Sequence, residues 1–154
     1  AASGVKALEV LANKDFDVIV LDVKMPVKDF AAKMAAEKNL LVVWEFEPGF
    51  IINEPKNIAA LVKAVDEPNF KILFDTCHAH MSAVEGANHL EPGCTLKGGI
   101  VEFCEMLDGM IGVVHVIDSD GSLNTQNTST HAPFGIGKID FDTVIPALLN
   151  KAPR

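Results

Sequence analysis

The residues best suited to chemistry stand at the ends of apolar runs. Ile72-Leu73-Phe74 leads into Asp75-Thr76-Cys77-His78-Ala79-His80. Leu40 to Glu47 closes on Glu45 and Glu47, and Ile111 to Asp118 carries His115 and Asp118. Glu, Asp and His delivered together suggest a divalent-metal site. Such mixed oxygen and nitrogen donors suit Mn²⁺, Zn²⁺, Mg²⁺ or Co²⁺ rather than copper. A cation of this kind polarises a bound carbonyl or hydroxyl while a nearby carboxylate moves a proton. Asp75 and His78 therefore fall where metal ligands or acid/base groups belong.

The apolar runs have the length and residue types of buried parallel strands. In parallel α/β folds, sites are built at the carboxyl ends of strands. In chain order, Gly4 to Asn13 reads as a helix and Val18 to Val23 as a strand carrying Asp22, broken by Lys24-Met25-Pro26. Asp29 to Asn39 is a helix, with Asp29 as N-cap and Phe30 and Met34 facing inward. Strands follow at Leu40 to Glu47, Lys71 to Cys77 and Gly112 to Asp118, and helices at Asn57 to Val65, Ile100 to Leu107 and Phe141 to Asn150. Ser82 to Gly99 reads as a lid or irregular crossover, Ser119 to Thr130 as a polar loop, and Pro133 to Gly137 as a tight turn. One helix followed by βα units predicts an α/β domain of parallel βα repeats spanning residues 1–154. Either a partial (half) TIM barrel or a flavodoxin-like open sheet of about four to five strands satisfies that order.

With 154 residues and 49% hydrophobic content the chain can bury a substantial core. A net charge of −8 disfavours a general nucleic-acid surface. No apolar run is long enough to span a membrane, and no secretory leader is legible before the first helix. Cys77, Cys94 and Cys104 lack metal-finger spacing, so a reduced, cytoplasmic protein is expected. Tyrosine is absent, which leaves proton chemistry to His, carboxylates or Lys.

Ala2-Ser3-Gly4, Ala7-Leu8-Glu9 and Asp15 to Pro26 resemble part of a response-regulator receiver domain. The resemblance implies a phosphate-accepting aspartate at Asp22, although the acidic pair of that family has no counterpart here.

From about Phe30 onward the chain is similar to the sugar phosphate isomerase/epimerase superfamily, xylose isomerase-like TIM barrels related to apurinic endonucleases. Val42 to Gly49, Phe74 to Ala79, His115 to Ser119 and His131 to Phe141 carry the likeness. It implies that Glu45, Asp75 and His115 bind metal, and that His131 helps. It implies catalysis through Glu45 and His78, with His78 also binding substrate. Ser129 stands where the endonuclease branch has a carboxylate. The family's first strands and its last metal glutamate have no counterpart here. A truncated or chimeric protein, natural or engineered, is therefore expected, with residues 1–28 receiver-like and 29–154 barrel-like. Its catalysis would be impaired, unless the remaining strands come from another chain.

Trp44 packs between sheet and helix on this reading, or walls a sugar pocket. Gly135 and Gly137 could offer backbone N–H groups to a sugar phosphate, although a turn alone also explains them. His80 is expected to face solvent or cap a helix, and Cys77 to pack inward. The partners expected are a small sugar or sugar phosphate and a second copy completing a barrel, with no nucleic acid and no membrane.

Overall fold

A computed structural model describes residues 18–21 and 28–151, with side-chain surroundings from Ala32 onward. Asp22 and the helix expected at Gly4 to Asn13 lie outside the described residues. Strand β1 (Val18–Leu21) is followed by helix α1 (Lys28–Ala36), β2 (Leu41–Glu45), α2 (Pro55–Val65) and β3 (Phe70–Asp75). The short helix α3 (Thr76–His80) runs directly into a π-helical turn, Met81–Glu85. Helix α4 (Gly99–Met106), strand β4 (Ile111–His115), a hairpin of β5 (Asp118–Leu123) and β6 (Ser129–Ala132), and helix α5 (Phe141–Lys151) complete the order.

Strands β1 to β4 form an open parallel sheet in the order β1-β2-β3-β4. Each strand lies beside its predecessor, so right-handed crossovers carry the intervening helices over one face. That is the arrangement of a barrel wall. A doubly wound sheet would reverse its strand order partway. Among the described residues the wall stays open.

The helix-facing side of the sheet holds the core. Val42, Trp44, Phe46, Phe70, Ile72 and Phe74 pack there against Ile58, Val62 and Phe103. The rings of Phe46, Phe74 and Phe103 meet at centroid distances of 5.4 to 6.0 Å, in tilted and edge-on contacts. Helix α2 supplies its face through Ile58, Ala59, Val62 and Val65. Pro55 at its start needs no N–H partner there, and Asp66 closes it in the left-handed region at φ 52°.

The opposite face carries Val43, Glu45, Leu73, Asp75, Val113 and His115, by the two-residue alternation of strands. Its alignment depends on a bulge at Gly112. Ile72 pairs with Ile111, but Leu73 pairs with Val113. A Cβ on Gly112 would stand 2.7 Å from Lys71 Cβ and 3.1 Å from Val43 Cγ1. The extra residue restores the pairing of Asp75 with His115. Without it the side chains beyond would exchange faces.

Three expectations change. The strand expected to run to Cys77 ends at Asp75, because Asp75 caps a helix that begins at once. The segment expected as a polar loop at Ser119 to Thr130 is largely an antiparallel hairpin. The irregular segment expected from Ser82 opens with the π-helical turn. Pro146 lies inside α5, which begins at Phe141. No helix of the described residues is long and apolar enough to cross a membrane.

Candidate metal and substrate site

The carboxyl end of β3 sets the centre. Asp75 is fully buried, and its Oδ1 accepts hydrogen bonds from the backbone N–H groups of Cys77 (2.8 Å) and His78 (3.1 Å). This is an N-cap, and it turns Oδ2 away from the helix. Oδ2 is buried and has no hydrogen-bond partner.

Around that oxygen stand the side chains of the neighbouring strands. His115 Nδ1 lies 3.8 Å from Asp75 Oδ2 and 3.6 Å from Glu45 Oε1. His78 Nε2 lies 3.8 Å from Glu45 Oε1. His131, on β6, brings Nε2 to 4.0 Å from Asp75 Oδ2, and its ring centroid lies 5.2 Å from that of His78. Ligand atoms of Glu45, Asp75 and His78 all fall within 4.8 Å of one another. Glu45, Asp75, His78, His115 and His131 thus converge on one rim. These separations are too long for direct hydrogen bonds. They leave a gap bordered by carboxylate oxygens and imidazole nitrogens.

The electrostatics match that gap. Burial, and then the charge of Asp75, raise the carboxyl of Glu45 above its ordinary value, while His115 and His131 pull it partly back. Burial pushes the imidazole of His78 down to about 4, against the opposing pull of Asp75. His78 is therefore neutral at neutral pH, as ligation requires. A buried carboxylate oxygen without a partner is costly unless a cation or proton meets it. The donor set therefore fits a divalent cation of the Mn²⁺, Zn²⁺, Mg²⁺ or Co²⁺ group.

The other candidates are placed differently. Trp44 is buried in the helix-facing core, edge-on to Phe46 at 6.5 Å, on the face opposite Glu45. The N–H groups of Gly135 and Gly137 donate to Asp118 Oδ2, at 3.0 and 2.8 Å. Ser119 and Ile139 donate to its Oδ1. These two glycine N–H groups are thus engaged with an internal carboxylate. His80 is buried rather than solvent-facing, with Nε2 3.2 Å from Glu85 Oε1, which also pairs with Lys138. Sequence reasoning treated Asp118 only as a strand-end acid. Its signal was a carboxylate followed by a Gly-x-Gly turn, and only the fold brings the two together.

The family model described as xylose isomerase-like TIM barrel matches residues 27–152. Among solved structures, a xylose isomerase-like TIM barrel/4-hydroxyphenylpyruvate dioxygenase fusion protein superposes with a TM-score of 0.54 at 12% identity, over 96% of this chain and 24% of that one. The chain thus spans about a quarter of the length of that protein. At this identity the likeness shows the fold alone. No curated protein matches significantly. Neither likeness is to a receiver domain.

Proposed function

The chain belongs to the xylose isomerase-like TIM barrel family, and from that premise we propose that it carries the metal-holding wall of a sugar or sugar phosphate isomerase/epimerase site. The observation that carries this reading is the unpartnered Oδ2 of buried Asp75, ringed by Glu45, His115 and His131. Glu45, Asp75 and His115 would hold the divalent cation, with His131 in support. When bound, the cation polarises a sugar carbonyl or hydroxyl and stabilises negative charge on its oxygen.

The chain's own residues supply the rest. Glu45 is the proton-moving carboxylate, because its Oε1 stands at the same rim as the imidazoles of His78 and His115, at 3.8 and 3.6 Å, where a bound sugar would lie. His78 binds the sugar through a ring nitrogen, its other nitrogen being held by Ser129 Oγ at 2.8 Å. Among the described residues the wall is four strands and does not close around the rim. These 154 residues by themselves therefore bind metal and sugar better than they turn sugar over.

A second reading adds strands from another chain, in the simplest case a second copy. The observation favouring it is an apolar cleft of about 310 Å³ beside β4, lined by Gly112, Val113, Val114, Val116, Ile145, Leu148 and Leu149. Light scattering after size-exclusion chromatography distinguishes the two readings, since a clean monomer removes the second-copy form.

The metal reading is tested by plasma-emission analysis of purified wild type and Asp75→Ala after loading with Mn²⁺ or Zn²⁺. Near-stoichiometric metal in wild type and little in the variant is expected. Equal metal in both would overturn the assignment.

A further inference from the structure

Cys77 is a rim side chain that the isomerase reading leaves unused. It follows Asp75 by two residues on α3 and is completely buried. Its Sγ, a carboxylate oxygen of Asp75 and a ring nitrogen of His131 lie within 4.8 Å of one another. The thiol donates to Thr130 O at 3.5 Å on the hairpin.

A second feature points to a ligand. Asp75 Oδ2 is 0% exposed, has no hydrogen-bond partner, and lies 4.0 Å from His131 Nε2. Two donor sets therefore share Asp75: Glu45–Asp75–His78 on one side and Asp75–Cys77–His131 on the other. The second contains sulfur, and thiolate with imidazole selects Zn²⁺ and similar cations over Mg²⁺ or Mn²⁺. Zn–S bonds of about 2.3 Å and Zn–N bonds of about 2.0–2.1 Å bring donors to roughly 3.5 Å. The set has to close by up to about 1.3 Å, and the half-exposed side chain of His131 has room to move.

We propose that Asp75, Cys77 and His131 form a cation subsite for Zn²⁺ or a cation of like softness, next to the Glu45–Asp75–His115 cluster with which it shares Asp75 and the supporting His131. The inference rests on the reading of that cluster as a metal site. Binding exchanges the Cys77 Sγ–H bond for an Sγ–metal bond, the proton passes to solvent, and no group is oxidised or reduced. Because His131 belongs to β6 while Asp75 and Cys77 belong to the sheet rim, the cation would clamp the hairpin to the sheet.

The test is a Co²⁺ titration of the chelator-stripped full chain, kept reduced by a phosphine, with absorption read in both the visible and near ultraviolet. Wild type is expected to develop a sulfur-to-cobalt charge-transfer band in the near ultraviolet. Cys77→Ser is expected to lose that band and retain the visible cobalt bands, while Cys94→Ser keeps both. Far-ultraviolet circular dichroism checks that Cys77→Ser folds, and Cys77→Ala serves as the second variant. Visible bands without a charge-transfer band in wild type would overturn the subsite alone, as would a band that survives Cys77→Ser. No cobalt absorption of either kind would overturn both the subsite and the isomerase-type metal reading.

Discussion

Ser129 Oγ lies 2.8 Å from His78 Nδ1, joining the hairpin to the rim of the sheet. The contact holds the ring so that Nε2 of His78 faces Glu45 Oε1 at 3.8 Å. On the reading in which His78 binds the sugar, a hydroxyl that holds its ring acts on sugar affinity rather than on the cation. Ser129→Ala should therefore weaken sugar binding to the metal-loaded chain and leave Zn²⁺ affinity close to that of wild type, measured by calorimetry and by competition with a fluorescent chelator. Without metal the variant should be less stable by about 1–3 kcal/mol, because a buried ring nitrogen loses its partner.

Asp75 has separable duties on its two oxygens. Asp75→Asn keeps an acceptor for the N–H groups of Cys77 and His78 but removes the buried charge at Oδ2. It should abolish metal binding and leave metal-free stability within about 1 kcal/mol of wild type, since an unpaired buried charge is lost with it. Asp75→Ala loses the cap as well and should be less stable than Asp75→Asn by about 1 kcal/mol. Urea unfolding of both variants without metal measures the difference.

The Gly112 bulge positions His115. A side chain there meets Lys71 Cβ at 2.7 Å and Val43 Cγ1 at 3.1 Å. Gly112→Ala should cost about 1–3 kcal/mol by crowding. It should also weaken metal binding, because β4 must shift where His115 faces Asp75. A variant that retained full stability and affinity would show that the bulge tolerates a side chain.

Asp118 organises the turn that returns the chain from the hairpin. Burial by itself would raise its carboxyl, but N–H bonds from Gly137, Ser119, Ile139 and Gly135 outweigh it and hold the group below its ordinary value of 3.8. For a depressed carboxyl, the stabilisation is present above the unfolded value and is lost as pH falls through the folded one. Wild type should thus lose stability on acidification below about pH 4, while Asp118→Asn shows a flatter acid limb. At neutral pH the variant should be destabilised by about 3 kcal/mol, because an amide cannot accept from every one of these donors. Chemical denaturation at several pH values measures both effects.

The sequence by itself determined the strands and the chemistry at their ends. Apolar runs such as Ile72 to Phe74 can only be buried, and the acids and imidazoles that follow them must then emerge at a rim. Helix α2 was legible for the same reason, through the spacing of Ile58, Val62 and Val65. The tertiary structure decided which of those groups meet. The hairpin carrying His131 has no apolar alternation to announce it. It is held partly by side-chain bonds such as Asn124 Nδ2 to Thr128 Oγ1 at 2.7 Å. The Asp118 bonds to the Gly-x-Gly turn depend on partners distant in the chain. So does the alignment of Asp75 with His115, which requires an extra residue in one strand and no Cβ at Gly112. Local pattern records what a side chain is and which face it prefers, whereas strand register sets its neighbours, and register is a property of two strands at once.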